Sequence, residues 1–132
     1  MILVVDASAA IEYLLQTPLG LRATTLIDQA ELAAPELLDA VVLAVLRRAA
    51  RAGRVSARRA GEAIGDLRDW TIERLSHRPL LERAWALRGH VSAYDALYVA
   101  AAQARDGALL TADGPLARVP ALGVVVHNVR AA

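Results

Sequence analysis

The sequence predicts an α/β domain in which a small central parallel sheet is covered by helices on both faces. Three observations carry that prediction. Short apolar runs alternate with longer segments of helical periodicity, the pattern of parallel strands joined by helical crossovers. The first run, Ile2–Val5, is continuously apolar, as a strand buried on both faces requires. The chain is 56% hydrophobic but only 4% aromatic, with no Phe. Ala and Leu supply most of that apolar mass, and with Arg and Glu they favour helix because they lose little rotamer freedom in one. At 132 residues the chain suits one core, so 1–132 reads as a single domain.

The elements follow in order. Ile2–Val5 is the first strand and ends at Asp6. Ala7–Gln16 reads as a helix with Ile11, Leu14 and Leu15 on one side, broken by Thr17-Pro18. Leu19–Gln29 is a second helix, and Glu31–Pro35 a second strand. Glu36–Ala52 is the clearest helix, because Leu38, Val41, Val42, Val45 and Leu46 recur at helical spacing and Gly53 closes it. Ser56 is placed to cap a helix running to about Asp69. Trp70–Leu75 is read as a third strand and Pro79–Arg88 as a helix opened by proline. Ser92–Arg105 is a helix ended by Gly107, and Ala108–Thr111 a strand. Asp113-Gly114-Pro115 carries a turn signature. Gly123–Val126 is read as the last strand.

Composition removes several functions. No cysteine is present, so there is no disulfide framework and no thiolate ligand or nucleophile. All 15 basic residues other than histidine are Arg, which excludes chemistry needing a lysine. The longest apolar runs, Ala40–Leu46 and Ala96–Ala102, fall well short of the roughly 20 residues of a spanning helix. The N-terminus meets Asp6 without a basic region and does not read as a signal peptide. The expectation is a soluble cytoplasmic protein with no membrane partner. A formal net charge of +1 says little about partners.

Three aspartates could converge. Asp6 follows the first strand, Asp113 follows the Ala108–Thr111 strand by two residues, and Asp95 lies near the start of the helix leading into that strand. In such sheets, groups beyond the carboxyl ends of the strands face a common crevice. Clustered carboxylates repel unless a cation or proton neutralises them, and hard oxygen ligands suit Mg²⁺ or Mn²⁺. Each also has a local reading: Asp6 as a helix cap, Asp95 as a first-turn acid, Asp113 as turn chemistry.

The segments around these residues resemble PIN domains, and VapC-type toxins in particular. Val4-Val5-Asp6-Ala7-Ser8-Ala9 is similar to the family's first motif and Ala34-Pro35-Glu36-Leu37-Leu38-Asp39-Ala40 to its second. Val91-Ser92-Ala93-Tyr94-Asp95-Ala96-Leu97-Tyr98-Val99-Ala100 closely resembles the third, and Leu109-Leu110-Thr111-Ala112-Asp113 the fourth. They occur in family order over nearly the whole chain. The resemblance implies a three-layer α/β/α fold and an endoribonuclease dependent on Mg²⁺ or Mn²⁺. It implies Asp6, Asp95 and Asp113 as catalytic, metal-holding acids, with Ser8 and Thr111 as polar residues orienting them or a water. It also implies an RNA substrate, a VapB-type antitoxin and a homodimer.

One position departs from the pattern. The second motif normally carries a glutamate on the helix after the proline, and here that position is Val41. Asp39 and Glu36 point roughly 160° and 140° away from it on a helix, so neither replaces the missing group. The expectation is weakened or absent cleavage with the fold intact. The alternative is a catalytically silent domain that binds an antitoxin. Other phosphate-handling folds fit poorly. Receiver domains need a lysine, a haloacid-dehalogenase-type phosphatase needs an aspartate where Ser8 stands, and no Gly-x-Gly-x-x-Gly occurs.

Arg47, Arg48, Arg51, Arg54, Arg58 and Arg59 crowd a stretch with no acid between Asp39 and Glu62. An RNA-facing patch is one reading and a solvated helix face the other. His77, His90 and His127 have no paired spacing and read as surface or structural residues. Trp70 and Trp85 read as core or interface anchors.

Overall fold

The computed structural model describes residues 1–131. Its element order is β1 (Ile2–Val5), α1 (Ala7–Leu14), α2 (Pro18–Asp28), β2 (Glu31–Pro35), α3 (Leu37–Arg51), α4 (Ala57–Asp69), β3 (Glu73–Leu75), α5 (Leu81–Ala86), α6 (Ala93–Ala104), β4 (Ala108–Thr111), α7 (Gly114–Ala117) and β5 (Val126–Asn128). Short 3₁₀ turns at Arg78–Leu80 and Val129–Ala131 flank α5 and end the described chain.

The five strands form one sheet in the order β3-β2-β1-β4-β5, and every pairing is parallel. β1 lies at the centre, with Val4 opposite Ala33 on one side and Leu109 on the other. Leu3, Val4, Val5 and Leu109 are wholly buried, which explains the continuous apolar runs. From β1 the chain moves outward through β2 to β3, then returns past β1 to β4. Because such crossovers are right-handed, the reversal puts α1, α3 and α4 on one face and α5 and α6 on the other. Helix packing agrees: α3 rests on α1 and α4, while α6 rests on β1, β2 and β4. The result is the three-layer α/β/α architecture, with its topological switch point between β1 and β4.

The helices bury the stripes their spacing predicts. α3 buries Leu38, Val42 and Leu46, each stabilising by about 1.5–3 kcal/mol relative to exposure. Val41 and Val45 flank that stripe, half-buried. α6 buries Ala96, Val99, Ala100, Ala101 and Ala102, small side chains that let it sit close on the sheet. Ser56 caps α4, its hydroxyl accepting from Arg59 N–H at 3.0 Å. Gly53, with φ of +75°, ends α3. There Gly53 N–H donates to Ala50 O at 3.2 Å and Arg54 N–H to Ala49 O at 2.9 Å, the paired bonds of a Schellman turn. Gly20 has a different reason: a Cβ there would lie 2.0 Å from the Glu12 carbonyl oxygen, because the start of α2 rests on the end of α1.

Several expectations are corrected. The last strand is Val126–Asn128 rather than Gly123–Val126. Gly123 and Ala121 take left-handed φ values of +72° and +59°, so the glycine belongs to a turn, and an edge strand needs no continuous apolar run. β3 is only Glu73–Leu75, again an edge strand. The break expected at Thr17-Pro18 does separate α1 from α2, but Pro18 itself belongs to α2: Thr17 caps that helix and Pro18 occupies its first position. Asp113-Gly114-Pro115 opens the short α7 by the same logic. Trp70 stacks on Tyr13 with ring centroids 5.2 Å apart. Trp85, 68% exposed, is not in the core; Arg88 lies over its ring at 4.8 Å.

Candidate active site

Asp6 caps α1 at the carboxyl end of β1 and is almost fully buried, at 4% exposure. Its carboxylate is held by three donors. Ala9 N–H donates to Oδ1 at 3.0 Å, Ser8 Oγ donates to Oδ1 at 2.7 Å, and Thr111 Oγ1 donates to Oδ2. Both hydroxyls are themselves fixed by the turn after β4. Ala112 N–H donates to Ser8 Oγ and Asp113 N–H to Thr111 Oγ1, each at 2.9 Å. Ser8 and Thr111 therefore tie the end of β1 to the end of β4, across 103 residues of sequence.

The other two aspartates are more open. Asp95 lies in the first turn of α6, where its own N–H donates to the capping Ser92 Oγ at 3.3 Å. α6 runs antiparallel to the strands, so this end lies at their carboxyl edge. Asp113 caps α7, with Leu116 N–H donating to Oδ1 at 3.3 Å. Each aspartate thus fills its local role, and Asp95 is near enough to Asp6 and to Asp113 for their charges to interact. Burial pushes the Asp6 carboxyl above its ordinary pKa; the Thr111, Ala9 and Ser8 hydrogen bonds pull it back, and the Asp95 charge adds to the rise. Burial likewise raises Asp95, opposed by Ser92 and reinforced by the Asp113 charge.

Val41 lies on α3, which packs on α1, the helix that Asp6 caps. Asp39 on the outer flank of α3 is paired with Arg74 of β3, at 3.1 Å from Nη2. Arg74 also donates to the Leu67 carbonyl at 2.6 Å, which pins that flank to the sheet edge. Val41 is two residues on, about 200° round the helix from Asp39. It is half-buried against the core. No rotation of α3 brings Asp39 to that place without breaking the Arg74 pair.

Hard carboxylate oxygens meeting in one crevice are the right chemistry for Mg²⁺ or Mn²⁺, and the like charges need an offset. The set is sparse, however. Asp6 already receives three protein donors, residue 41 supplies no oxygen, and among the described residues no three acidic or histidine side chains group closely enough to hold one ion. Asp95 and Asp113, with the Asp6 charge behind them, are the groups that would meet a cation, and they do not by themselves complete a site for it.

Three side chains here escape a sequence reading. Tyr98, one turn after Asp95 on α6, is 3% exposed. Its hydroxyl is buried with no hydrogen-bond partner; the Ala7 N–H approaches it outside bonding geometry. Burial, then the Asp6 and Asp95 charges, raise its pKa. The motif contained this tyrosine, but nothing in its type or spacing marks an unpartnered hydroxyl. His77 accepts the Leu37 N–H on Nε2 at 3.0 Å, supplying the cap that Glu36 does not give α3. Arg130 donates from Nε to the Ala112 carbonyl at 2.7 Å, which brings a guanidinium to the turn carrying Asp113. A separate depression of about 570 Å³, lined by Ile2, Trp70, Thr71 and Glu73 among others, contains none of the three aspartates.

Comparison with known proteins agrees with the fold. The PIN domain family matches residues 3–122, and the chain belongs to that family. Its likeness within the family is to the VapC-type members. It is 40% identical to Ribonuclease VapC1 of Mycobacterium tuberculosis over 131 residues, covering 96% of this chain and 97% of that protein. It is also 40% identical to Ribonuclease VapC9 of the same organism over 111 residues, covering 84% and 85%. In fold it matches a chain of VapBC2 from Rickettsia felis, solved bound to a DNA fragment from their promoter. That match has a TM-score of 0.69 at 14% identity, covering 97% of this chain and 98% of that one.

Proposed function

We propose that this chain is a ribonuclease toxin of a VapBC-type module, working in the cytoplasm as a homodimer, hydrolysing RNA phosphodiester bonds and held in check by a VapB-type antitoxin. The feature that carries this reading is the position of Asp6 and Asp113 after β1 and β4 and of Asp95 at the start of α6, with Asp95 in charge range of both others. The 40% identity to a named ribonuclease over 96% of the chain supports it. Asp6, Ser8 and Thr111 form the fixed wall of the site. The clamp holds the Asp6 carboxylate in one orientation and ties β1 to β4, so the crevice keeps its shape. Asp95 and the second oxygen of Asp113 are the groups left to face a ligand. Their oxygens can accept hydrogen bonds from an attacking water.

Three carboxylates repel an approaching phosphate, so cleavage requires a cation. Bound Mg²⁺ or Mn²⁺ would acidify water and offset charge on the scissile phosphate. Val41 removes one hard ligand from that neighbourhood. We infer that the chain binds the cation weakly and cuts slowly for this reason. Val41→Glu should raise cation affinity by about 10- to 100-fold, the range for a group that supports a metal site, and raise cleavage with it.

The test is cleavage of a panel of structured RNAs with Mg²⁺ or Mn²⁺ titrated, comparing this chain, its Val41→Glu variant and the Val41→Glu, Asp95→Asn double variant. Cutting by the Glu variant alone, abolished by Asp95→Asn, is the expected result. Equal cutting with and without the glutamate would sink the account of position 41. No cutting by any folded variant would favour the second reading, a silent domain that binds an antitoxin, for which Val41 itself argues.

A further inference from the structure

We propose that the α3–α4 hairpin is a second, remote anchor for the RNA backbone, so that productive binding needs a strand long enough to span from the aspartates to the arginines. The proposal rests on the ribonuclease reading above and names which part of the substrate that reading requires. Arg47, Arg48, Arg51, Arg54 and Arg58 are all exposed. Among the described residues, none of these five side chains enters an ion pair or a side-chain hydrogen bond. Elsewhere guanidiniums are engaged: Arg74 on Asp39, and Arg105 on Glu73 at 2.9 Å. Arg59, the sixth of the cluster, belongs with the engaged group. It is half-buried and donates from Nη2 to the Leu14 carbonyl at 2.8 Å.

The hairpin that presents the five is rigid. The Schellman bonds close α3, Ser56 caps α4, and Leu46, Ala60 and Ala63 are buried on the inner side. Five like charges held on a fixed scaffold repel one another, and no neighbouring acid offsets them between Asp39 and Glu62. A polyanion turns that repulsion into attraction. The planar guanidinium forks match phosphate oxygens, and the absence of any aromatic residue from 40 to 61 removes base stacking. The patch therefore reads backbone and not sequence.

Its position sets a length. α3 starts at the carboxyl edge of the sheet and runs away from it. Arg51 lies ten residues beyond Val41, about 15 Å along the axis. One phosphate cannot touch both ends. At about 3.4 Å per stacked nucleotide, the span is of order four to five nucleotides. A trinucleotide reaches one site only.

The experiment measures binding of the intact chain, with Mg²⁺ and separately in EDTA, to fluorescent single-stranded RNAs of 3 and 12 nucleotides across a salt titration. The 12-mer should bind at least about tenfold tighter, and Arg51→Glu/Arg54→Glu should remove most of that advantage. Loss of two phosphate contacts should also reduce the salt slope by about 1.4, from roughly 0.7 per contact on single strands. Arg47→Gln/Arg58→Gln, a milder pair on exposed positions, should weaken the 12-mer in the same direction if the charge reversals disturb folding. Unchanged affinity and slope in both variants would overturn the proposal and leave a solvated surface. Binding of polyglutamate through the same arginines, with no arginine dependence for RNA, would overturn it in favour of an acidic protein partner. Arginine-dependent RNA binding without cleavage by the Val41→Glu chain would instead remove the ribonuclease reading while the anchor stands.

Discussion

Asp6 and Asp95 bring the same functional group to the same crevice, yet their surroundings differ. Asp6 is buried and receives three donors from its own chain. Asp95 is half-buried, and its neighbours contribute chiefly a capping serine and another carboxylate. A buried carboxylate is tolerated only when its oxygens are bonded, so the chain has built a clamp around Asp6. The open pair has no such clamp, and its mutual repulsion is uncompensated by protein. The clamped group therefore holds the shape of the site, and the unclamped groups keep the capacity to bind something. The two kinds of residue should respond differently to substitution.

The largest effect should come from breaking the clamp. Thr111→Val keeps the shape but leaves Asp6 Oδ2 and the Asp113 N–H without their partner, both near or in the core. We expect a loss of about 3 kcal/mol in denaturant unfolding, since a buried charged group left unsatisfied costs more than a neutral one. Ser8→Ala removes the part-buried half of the clamp and should cost about 1–2 kcal/mol. If Ser8→Ala proves the more damaging, the division between a clamped wall and an open face is drawn in the wrong place.

Asp95→Asn should act in the opposite sense. It removes a charge that repels Asp6 and Asp113, so the metal-free protein should gain about 0.5–1 kcal/mol while any cleavage falls by about a hundredfold or more. The same repulsion sets the pH dependence. Asp6 and Asp95 have folded-state pKa values raised above those of the unfolded chain. Their contribution is therefore fully present below the ordinary carboxylate pKa and is lost as pH rises through the raised values. Across that window, without metal, the stability of the native chain relative to Asp95→Asn should fall as pH rises. Thermal melts of the two at matched pH values check this. A native chain that gains stability relative to Asp95→Asn as pH rises would reverse the sign and the argument.

The smallest effect should be Tyr98→Phe. Its hydroxyl is buried and unpartnered, so removing it should be neutral or stabilising by up to about 1 kcal/mol. A loss greater than about 1 kcal/mol would mean that the phenol has a partner in solution, and would add it to the clamp.

Much of this was legible in the sequence. Ile2–Val5 and Ala108–Thr111 announced central parallel strands because both of their faces must be apolar, and Gly53 and Ser56 marked their helix ends by local chemistry. Asp6, Asp95 and Asp113 could be picked out as strand-end and helix-start acids, and Val41 as the residue where a glutamate was expected. The edge strands β3 and β5 were misplaced, since an edge strand needs neither a long apolar run nor alternation. The exposure of Trp85 was equally hidden, because residue type does not say which side of a short helix meets the core.

What the sequence by itself determined was whatever depends on near neighbours in the chain: helix periods, caps, turns and the all-buried character of the central strands. Only the tertiary structure decided that Ser8 and Thr111, 103 positions apart, close on one carboxylate, that His77 caps α3, that Arg130 reaches the turn beside Asp113, and that Arg59 alone of its cluster is tied to α1. Those contacts join residues whose separation is set by strand order and crossover direction. Hydrogen bonds across such distances form only after the sheet has brought their elements together, so no local pattern encodes them.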